Sequence, residues 1–207
     1  IVGEDGVTHH GVFDMAAFGA VPGLTIAAPM NEPELRNMMY TALGSGHPFM
    51  IRYPRGHGEG LPWRGEKFET LPVGRGRRLR EGADVALLTV GTVGNAAARA
   101  AERAAAEGVN AAHYDLRFAK PLDQELLHEV GRKFRCVVTV EDGALRGGVG
   151  EAVVAFFCEH GYLPKVVNLG IPDRFVEHGT PAQLYAQCGY DAEGIYRTLK
   201  SLQESLQ

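Results

Sequence analysis

The densest group of residues that could do chemistry lies near the start of the chain, at positions 3–11 (GEDGVTHHG). Asp5 and His9 are four residues apart in a segment flanked by glycines, which can bring both side chains toward one ligand. A carboxylate can accept hydrogen bonds from substrate hydroxyl groups, and a histidine can donate to a carbonyl or move a proton near neutral pH. The residues alone equally allow an Asx-type turn at Asp5-Gly6 beside two solvated histidines. A zinc site is not expected, because no cysteine and no further His-x-x-x-His spacing accompanies the pair.

A second candidate is the segment 52–56 (RYPRG), which follows the short apolar run Phe49-Met50-Ile51. An arginine at the carboxyl end of a strand is well placed to bind a phosphate, because its planar guanidinium gives bidentate, charge-assisted hydrogen bonds. Hydrogen bonds to charged groups contribute about 1.5–3 kcal/mol each. An arginine engaged in an ordinary ion pair at a sheet edge is the alternative that these residues leave open.

Three further segments are weaker candidates. Gly91-Thr92-Val93-Gly94 and residues 147–150 (GGVG) each precede an expected helix, where backbone amides can bind phosphate. Neither is a complete GxGxxG or Walker motif, so a tight turn is expected at both. Residues 75–80 (RGRRLR) form a small basic patch without interleaved aromatic residues, for which a solvated hairpin is expected.

The elements around these segments alternate between strands and helices. In the first 56 residues, Asn31 can cap a helix whose Glu34 completes a variant of the capping box. The spacing of apolar residues predicts that this helix buries one face, made of Leu35, Met38, Met39 and Ala42. Strands are expected on either side of it, at residues 24–28 and 49–51.

The remainder of the chain predicts an α/β fold. Residues 57–72 are rich in glycine, proline and charge, which indicates a linker between domains 1–56 and 73–207. Beyond it, apolar strands at 85–90, 111–116, 136–140 and 165–169 alternate with helices, the last marked by Ile195, Leu199, Leu202 and Leu206. This alternation predicts a largely parallel sheet covered on both faces, with functional loops at the carboxyl ends of its strands.

Composition excludes several classes of function. With 21 basic and 25 acidic residues, the chain offers little to nucleic acid or an anionic membrane surface as a main partner. It has no apolar run near the roughly 20 residues that a membrane span needs. Three widely spaced cysteines without a CxxC pair predict buried thiols in a reducing compartment such as the cytoplasm. The first residue is Ile1 rather than methionine, from which we expect a piece of a longer protein.

Several of these segments together resemble a known family. Residues 2–14 (VGEDGVTHHGVFD) resemble the 1-deoxy-D-xylulose-5-phosphate synthase version of the Asp-Gly-x-Thr-His motif found in the transketolase superfamily. Residues 52–56 resemble the Arg-Tyr-Pro-Arg-Gly segment of the same synthase family, and residues 27–36 (AAPMNEPELR) fit its strand-to-helix turn. Residues 115–123 (DLRFAKPLD), 140–143 (VEDG) and 168–173 (NLGIPD) match its last domain. The resemblance covers essentially the whole chain.

The resemblance implies part of a thiamine-diphosphate-binding (pyrimidine) α/β domain, followed by a transketolase C-terminal-like α/β domain. It implies a cytoplasmic, homodimeric transferase that uses thiamine diphosphate and magnesium. The reaction would join pyruvate and D-glyceraldehyde 3-phosphate, with loss of CO2, to give 1-deoxy-D-xylulose 5-phosphate, a precursor of isoprenoids, thiamine and pyridoxal. The motifs that bind the cofactor and the metal belong to the remainder of the enzyme, so no cofactor-binding or metal-binding residue is expected in this chain, which alone should be inactive.

By the same resemblance, Asp5 would bind a substrate hydroxyl, His9 would hydrogen-bond or move a proton at the reacting carbons, and Arg55 would hold the substrate phosphate. His10 is given no role. The competing hypotheses are another transketolase-superfamily enzyme (transketolase itself or the beta subunit of the pyruvate dehydrogenase first component), a non-catalytic dimerisation module, and a nucleotide-binding module at residues 91–94. Residues 11–14 (GVFD) and 52–56 favour the synthase family.

Overall fold

The computed structural model describes residues 1–204, which form an α/β structure with two sheets. Its helices are α1 (Asp14–Gly19), α2 (Glu32–Gly44), α3 (Val93–Ala106), α4 (Gln124–Lys133), α5 (Val149–Glu159), α6 (Pro181–Cys188) and α7 (Ala192–Glu204). Its strands are β1 (Thr25–Ala27), β2 (Phe49–Ile51), β3 (Arg77–Arg80), β4 (Val85–Val90), β5 (Ala111–Asp115), β6 (Phe118–Lys120), β7 (Cys136–Ala144) and β8 (Lys165–Ile171).

The larger sheet has the strand order β3-β5-β4-β7-β8. β4, β5, β7 and β8 are parallel to one another, and β3 is an antiparallel edge strand. All six residues of β4 are buried, with Leu87 facing one half of the core and Leu88 the other. α3 and α7 cover one face of the sheet, and α4 and α5 cover the other. The predicted parallel sheet with two covered faces is therefore confirmed, because continuous apolar strands require cover on both sides.

The smaller sheet has the order β2-β1-β6 and joins distant parts of the chain. β1 runs parallel to β2, with Thr25 opposite Phe49, and antiparallel to β6, with Ile26 opposite Lys120. β6 follows β5 in the chain, so one connection leaves the larger sheet and adds a strand to the smaller one. Residues 57–72, all of which the structure describes, contain no helix or strand.

Helix α2 begins as predicted but buries a different face. The Asn31 side chain accepts a hydrogen bond from the Glu34 backbone N–H at 3.1 Å, which confirms the cap. The predicted apolar face is wrong in part, since Met38 is fully buried but Met39 is 56% exposed. The buried residues of the helix are Glu34, Asn37, Met38 and Thr41. Polar groups replace apolar ones there because the segment before β3 packs on this face, with the Leu71 N–H donating to the Thr41 hydroxyl at 2.9 Å.

Glu34 is the centre of a buried ion-pair network between α2 and the larger sheet. Its carboxylate accepts two hydrogen bonds of 2.8 Å from the Arg117 guanidinium and pairs with Arg77 Nη1 at 2.9 Å. Arg77 also reaches the fully buried Asp115, at 3.1 Å. The solvated hairpin predicted for residues 75–80 is therefore wrong, since Arg77 lies in β3 and pairs with two buried carboxylates.

The three cysteines have different environments. Cys136 is buried in β7, Cys188 is half-buried, and Cys158 is exposed on α5. The prediction of buried thiols holds fully for Cys136 alone, because Cys188 is only partly buried at the edge of the core and Cys158 lies on the exposed side of α5. Among residues 1–204, no helix combines the length and the apolar character that crossing a membrane requires.

Replacing Glu34 with alanine should destabilise the protein strongly. The change leaves Arg77 and Arg117 without a shared carboxylate, and breaking a buried pair in this way costs about 3–5 kcal/mol. Urea denaturation measures the free energy of unfolding, with Glu102→Ala on the exposed side of α3 as the control. A loss below about 1 kcal/mol for Glu34→Ala would show that the network is not stabilising.

His113 should make the protein less stable in acid. Burial, with a smaller effect of the Arg77 charge, lowers the pKa of His113 to about 4. The unfolded chain takes up this proton near pH 6.5 and the folded chain does not, so about 3 kcal/mol of stability is lost as the pH falls from 6.5 to 4. His113→Gln keeps an amide that can reach Thr89 Oγ1 and should lack this loss. Denaturation between pH 4 and 7.5 compares the two proteins, and equal slopes would contradict the assignment.

Candidate functional site

The segment 3–11 is a glycine-dependent loop that packs on the region before α6. Gly3 and Gly6 have φ values of +93° and +70°, which side chains other than glycine rarely adopt. The His9 N–H donates to the Gly6 carbonyl at 3.0 Å and closes the turn. A Cβ on Gly3 would lie 2.9 Å from Pro181 Cδ, so the loop and the region before α6 approach each other closely.

His10 anchors this loop, a role that the sequence analysis missed. Its side chain is 8% exposed. Nδ1 accepts a hydrogen bond from the Val2 N–H at 3.3 Å, which leaves Nε2 to donate to the Glu177 carbonyl at 3.3 Å. These two partners fit a neutral imidazole with its proton on Nε2. No sequence pattern marks this residue, because its two partners are eight and 167 residues away.

His9 is exposed on the same loop. Its Nδ1 lies 2.9 Å from the Thr8 hydroxyl, and its Nε2 has no hydrogen-bond partner among the described residues. His9 does not line either of the two cavities beside Arg55. Its imidazole can therefore meet a ligand only from the solvent side of the loop.

Asp5 and Arg55 form an ion pair that joins the two candidate segments of the sequence. The Asp5 side chain is 42% exposed and that of Arg55 is 59% exposed. Two of the three predicted site residues thus lie together, although they are 50 positions apart in the chain. Because the pair is open to solvent, its net contribution to stability is small and its partners can exchange.

A cavity of about 100 Å³ lies beside this pair, at the carboxyl ends of β1, β2 and β4 and near the carboxyl end of β7. Asp14, Arg52, Arg55, Gly91 and Asp142 are among its lining residues. A wider cleft of about 450 Å³ shares Arg55 with it and extends toward α3 and α6. This is where functional loops were expected, because parallel strands bring their carboxyl ends to one edge.

Arg52 is a second residue that sequence reasoning missed. Its Nε donates to Asp14 Oδ2 at 2.7 Å, and its Nη2 donates to the Asp142 carbonyl at 2.8 Å. Asp14 begins α1, whereas Asp142 lies in β7 of the larger sheet. The repeated arginine in RYPRG is the one signal in the sequence, but it does not separate the two arginines by role.

The glycine-rich segment 147–150 is closed to phosphate, and the segment 91–94 packs closely on Met30. Glu141 Oε2 accepts from the Val149 N–H at 3.0 Å and Oε1 from the Gly150 N–H at 2.8 Å, so a carboxylate occupies the amino end of α5. Burial raises the pKa of Glu141 to about 6, and the two amides and Arg52 oppose this effect. At the start of α3, a Cβ on Gly94 would lie 3.1 Å from Met30 Sδ, so this glycine permits close packing.

Residues 1–204 contain no group of three or more histidine, cysteine, aspartate or glutamate side chains arranged to bind a metal ion. What they present is an arginine with an exchangeable carboxylate partner beside a cavity, which suits an anionic, hydroxylated small molecule.

Two family models match the chain. The model described as "Transketolase, C-terminal domain" matches residues 74–195, more than half of the chain. The model described as "Transketolase, pyrimidine binding domain" matches residues 1–59. The family resemblance drawn from the sequence motifs is thereby confirmed.

Relatives with curated names are similar over nearly the whole chain. A protein of Bacteroides fragilis named 1-deoxy-D-xylulose-5-phosphate synthase is 56% identical over 201 residues, covering 96% of this chain and 31% of the relative. A protein of the same name from Aquifex aeolicus is 42% identical, covering 97% of the chain and 32% of the relative. The chain thus spans about a third of the length of these relatives.

Solved structures show the same architecture. One described as a split-gene transketolase in an inactive beta4 tetramer matches with a TM-score of 0.83 and 29% identity, over 96% of this chain and 63% of that one. A transketolase mutant from Pichia stipitis matches with a TM-score of 0.69 and 19% identity, over 98% of this chain and 28% of that one, which shows the fold alone.

The ion pair of Asp5 and Arg55 should contribute little to stability. Asp5→Asn and Arg55→Gln are each expected to change the free energy of unfolding by less than about 1 kcal/mol, because both side chains are largely solvated. Chemical denaturation of the two variants and the unmodified protein measures the change. A loss above about 2 kcal/mol in either variant would mean that the pair holds the loop in place and is not available to a ligand.

Proposed function

Because the chain belongs to the transketolase family, we propose that it supplies the phosphate-binding end of the active site in a 1-deoxy-D-xylulose-5-phosphate synthase. In this proposal the substrates are pyruvate and D-glyceraldehyde 3-phosphate, and the product is the compound in the names of the similar proteins. The chain spans only about a third of those proteins, so catalysis belongs to the complete protein. The division into domains 1–56 and 73–207, with a linker between them, is part of this proposal.

The observation that carries the proposal is the ion pair of Asp5 and Arg55. It joins the loop 3–11 to the segment 52–56 at the edge of a cavity formed by strand ends. A phosphate dianion can replace the Asp5 carboxylate on Arg55 with bidentate hydrogen bonds, since the Arg55 side chain is 59% exposed. Asp5, once released, can accept a hydrogen bond from a hydroxyl of the same substrate.

His9 serves the reacting end of the substrate. Its exposed Nε2 can donate a hydrogen bond to a carbonyl oxygen or pass a proton to it. The Thr8 hydroxyl lies 2.9 Å from Nδ1 and leaves Nε2 available to a ligand. In this arrangement Arg55 binds, Asp5 orients and His9 moves a proton.

Thiamine diphosphate, when bound to the complete enzyme, supplies the electron sink for decarboxylation and carbon–carbon bond formation. In our proposal the remainder of the enzyme holds the cofactor and magnesium. Within our proposal this enzyme is a cytoplasmic homodimer.

Arg55→Ala in the complete enzyme should raise the KM for D-glyceraldehyde 3-phosphate by about 10- to 100-fold, because it removes charge-assisted hydrogen bonds of about 1.5–3 kcal/mol each. The KM for pyruvate should change less than about threefold, since pyruvate has no phosphate. Formation of 1-deoxy-D-xylulose 5-phosphate is the measurement. Arg197→Ala removes the same charge from the exposed side of α7, where Arg197 pairs with Glu193, and serves as the control.

Three results would reject the proposal. An unmodified complete enzyme that exchanges ketol units between sugar phosphates, without consuming pyruvate, is a transketolase. A complete protein that dimerises but turns over neither substrate pair is an assembly module. If Arg55→Ala leaves both KM values unchanged, Arg55 does not bind the phosphate.

A further inference from the structure

We infer that Arg52 is a positioning residue for phosphate binding, which fixes the Arg55 segment against both the start of α1 and the larger sheet. The inference rests on the proposed function and adds a residue to which neither the motifs nor the comparisons assign a role. It also gives a function to the end of β7, where residues 140–143 (VEDG) form a motif without an assigned task.

Arg52 makes contacts in three directions. Its backbone N–H donates to the Ala27 carbonyl at 2.9 Å, which continues the pairing of β1 and β2. Its side chain, 16% exposed, donates through Nε to Asp14 and through Nη2 to the Asp142 carbonyl. A planar guanidinium can bind both acceptors at once in a fixed geometry, whereas a lysine ammonium is a single point of attachment.

Both acceptors are held independently of Arg52. Asp14 Oδ1 accepts from the Met15 N–H at 2.8 Å at the start of α1. The Asp142 carboxylate accepts from the buried Tyr190 hydroxyl at 2.9 Å. Nearby, the Ala144 N–H donates to the Val12 carbonyl at 2.8 Å and ties β7 to the residues before α1. Arg52 therefore bridges two fixed points of the structure.

The position of Arg52 is transmitted to Arg55 through a stiff connection. Only Tyr53 and Pro54 separate the two arginines. Proline fixes its own φ and keeps the preceding residue extended, so little freedom remains between the two side chains. Arg52, Asp14 and Arg55 line the same 100 Å³ cavity.

Arg52 also balances charge in this cavity. Asp14 is 26% exposed and lines the cavity that receives the phosphate. Paired with Arg52 at 2.7 Å, its negative charge is compensated. Without Arg52, an uncompensated carboxylate would repel the incoming phosphate.

The test uses the complete enzyme with Arg52→Gln, Arg52→Lys and the double variant Asp14→Asn/Arg52→Gln. Arg52→Gln should raise the KM for D-glyceraldehyde 3-phosphate about tenfold, with the KM for pyruvate changed less than about twofold. Arg52→Lys should bring the KM for D-glyceraldehyde 3-phosphate part of the way back, because lysine restores the positive charge but not the planar guanidinium that binds two acceptors at once. The double variant should also lower this KM relative to Arg52→Gln, because it removes the repulsion between the Asp14 carboxylate and the phosphate. Arg132→Gln, on the exposed end of α4, is the control.

Two results would overturn the inference. If Arg52→Gln lowers the melting temperature and kcat but leaves both KM values unchanged, Arg52 is purely structural. If both KM values rise equally, it does not act through the phosphate. A failed proposed function is distinguishable, because the unmodified enzyme would then form no 1-deoxy-D-xylulose 5-phosphate.

Discussion

The fold depends on the buried carboxylate of Glu34, which holds α2 against the larger sheet. A buried charge is tolerated only when it is paired and fully hydrogen-bonded, and Arg77 and Arg117 meet that demand from β3 and from the turn after β5. The same turn leads into β6, which pairs with β1. The ion-pair network and the short connection from β5 to β6 therefore join the two sheets, and the cavity at their strand ends depends on this alignment.

Elements set by local chemistry could be predicted from the sequence. The Asn31 cap and the apolar strand Val85–Val90 depend on neighbours in the chain, and both are present. The buried face of α2 and the paired state of Arg77 depend on partners 30 or more residues away. Periodicity counts apolar residues, so it selected Met39 and overlooked Thr41, whose hydroxyl is buried by the Leu71 backbone.

In the candidate site, too, some residues could be predicted from the sequence and others only from the structure. Asp5 and Arg55 stand in segments whose residue types indicate chemistry, and the structure brings them into contact. His10 and Arg52 lie in the same two segments, but the sequence does not show their supporting roles, because they bind backbone carbonyls and a carboxylate of other elements. The role of a group that contacts a ligand follows from its residue type, which the sequence shows. The role of a supporting group follows from its position relative to other elements, which only the folded chain shows.

Solvent exposure distinguishes the arginine that binds the ligand, Arg55, from the arginine that supports the site, Arg52. Arg55 is 59% exposed and its partner Asp5 is 42% exposed, so an incoming phosphate has only a weak, solvated pair to displace. Arg52 is 16% exposed and has two acceptors, so a ligand cannot draw it away without leaving Asp14 uncompensated. An arginine that must exchange one anion for another needs an exposed, solvated ion pair. An arginine that must stay in place needs burial and more than one acceptor. The segment 52–56 contains one of each, three residues apart, and this is why its two arginines are not interchangeable.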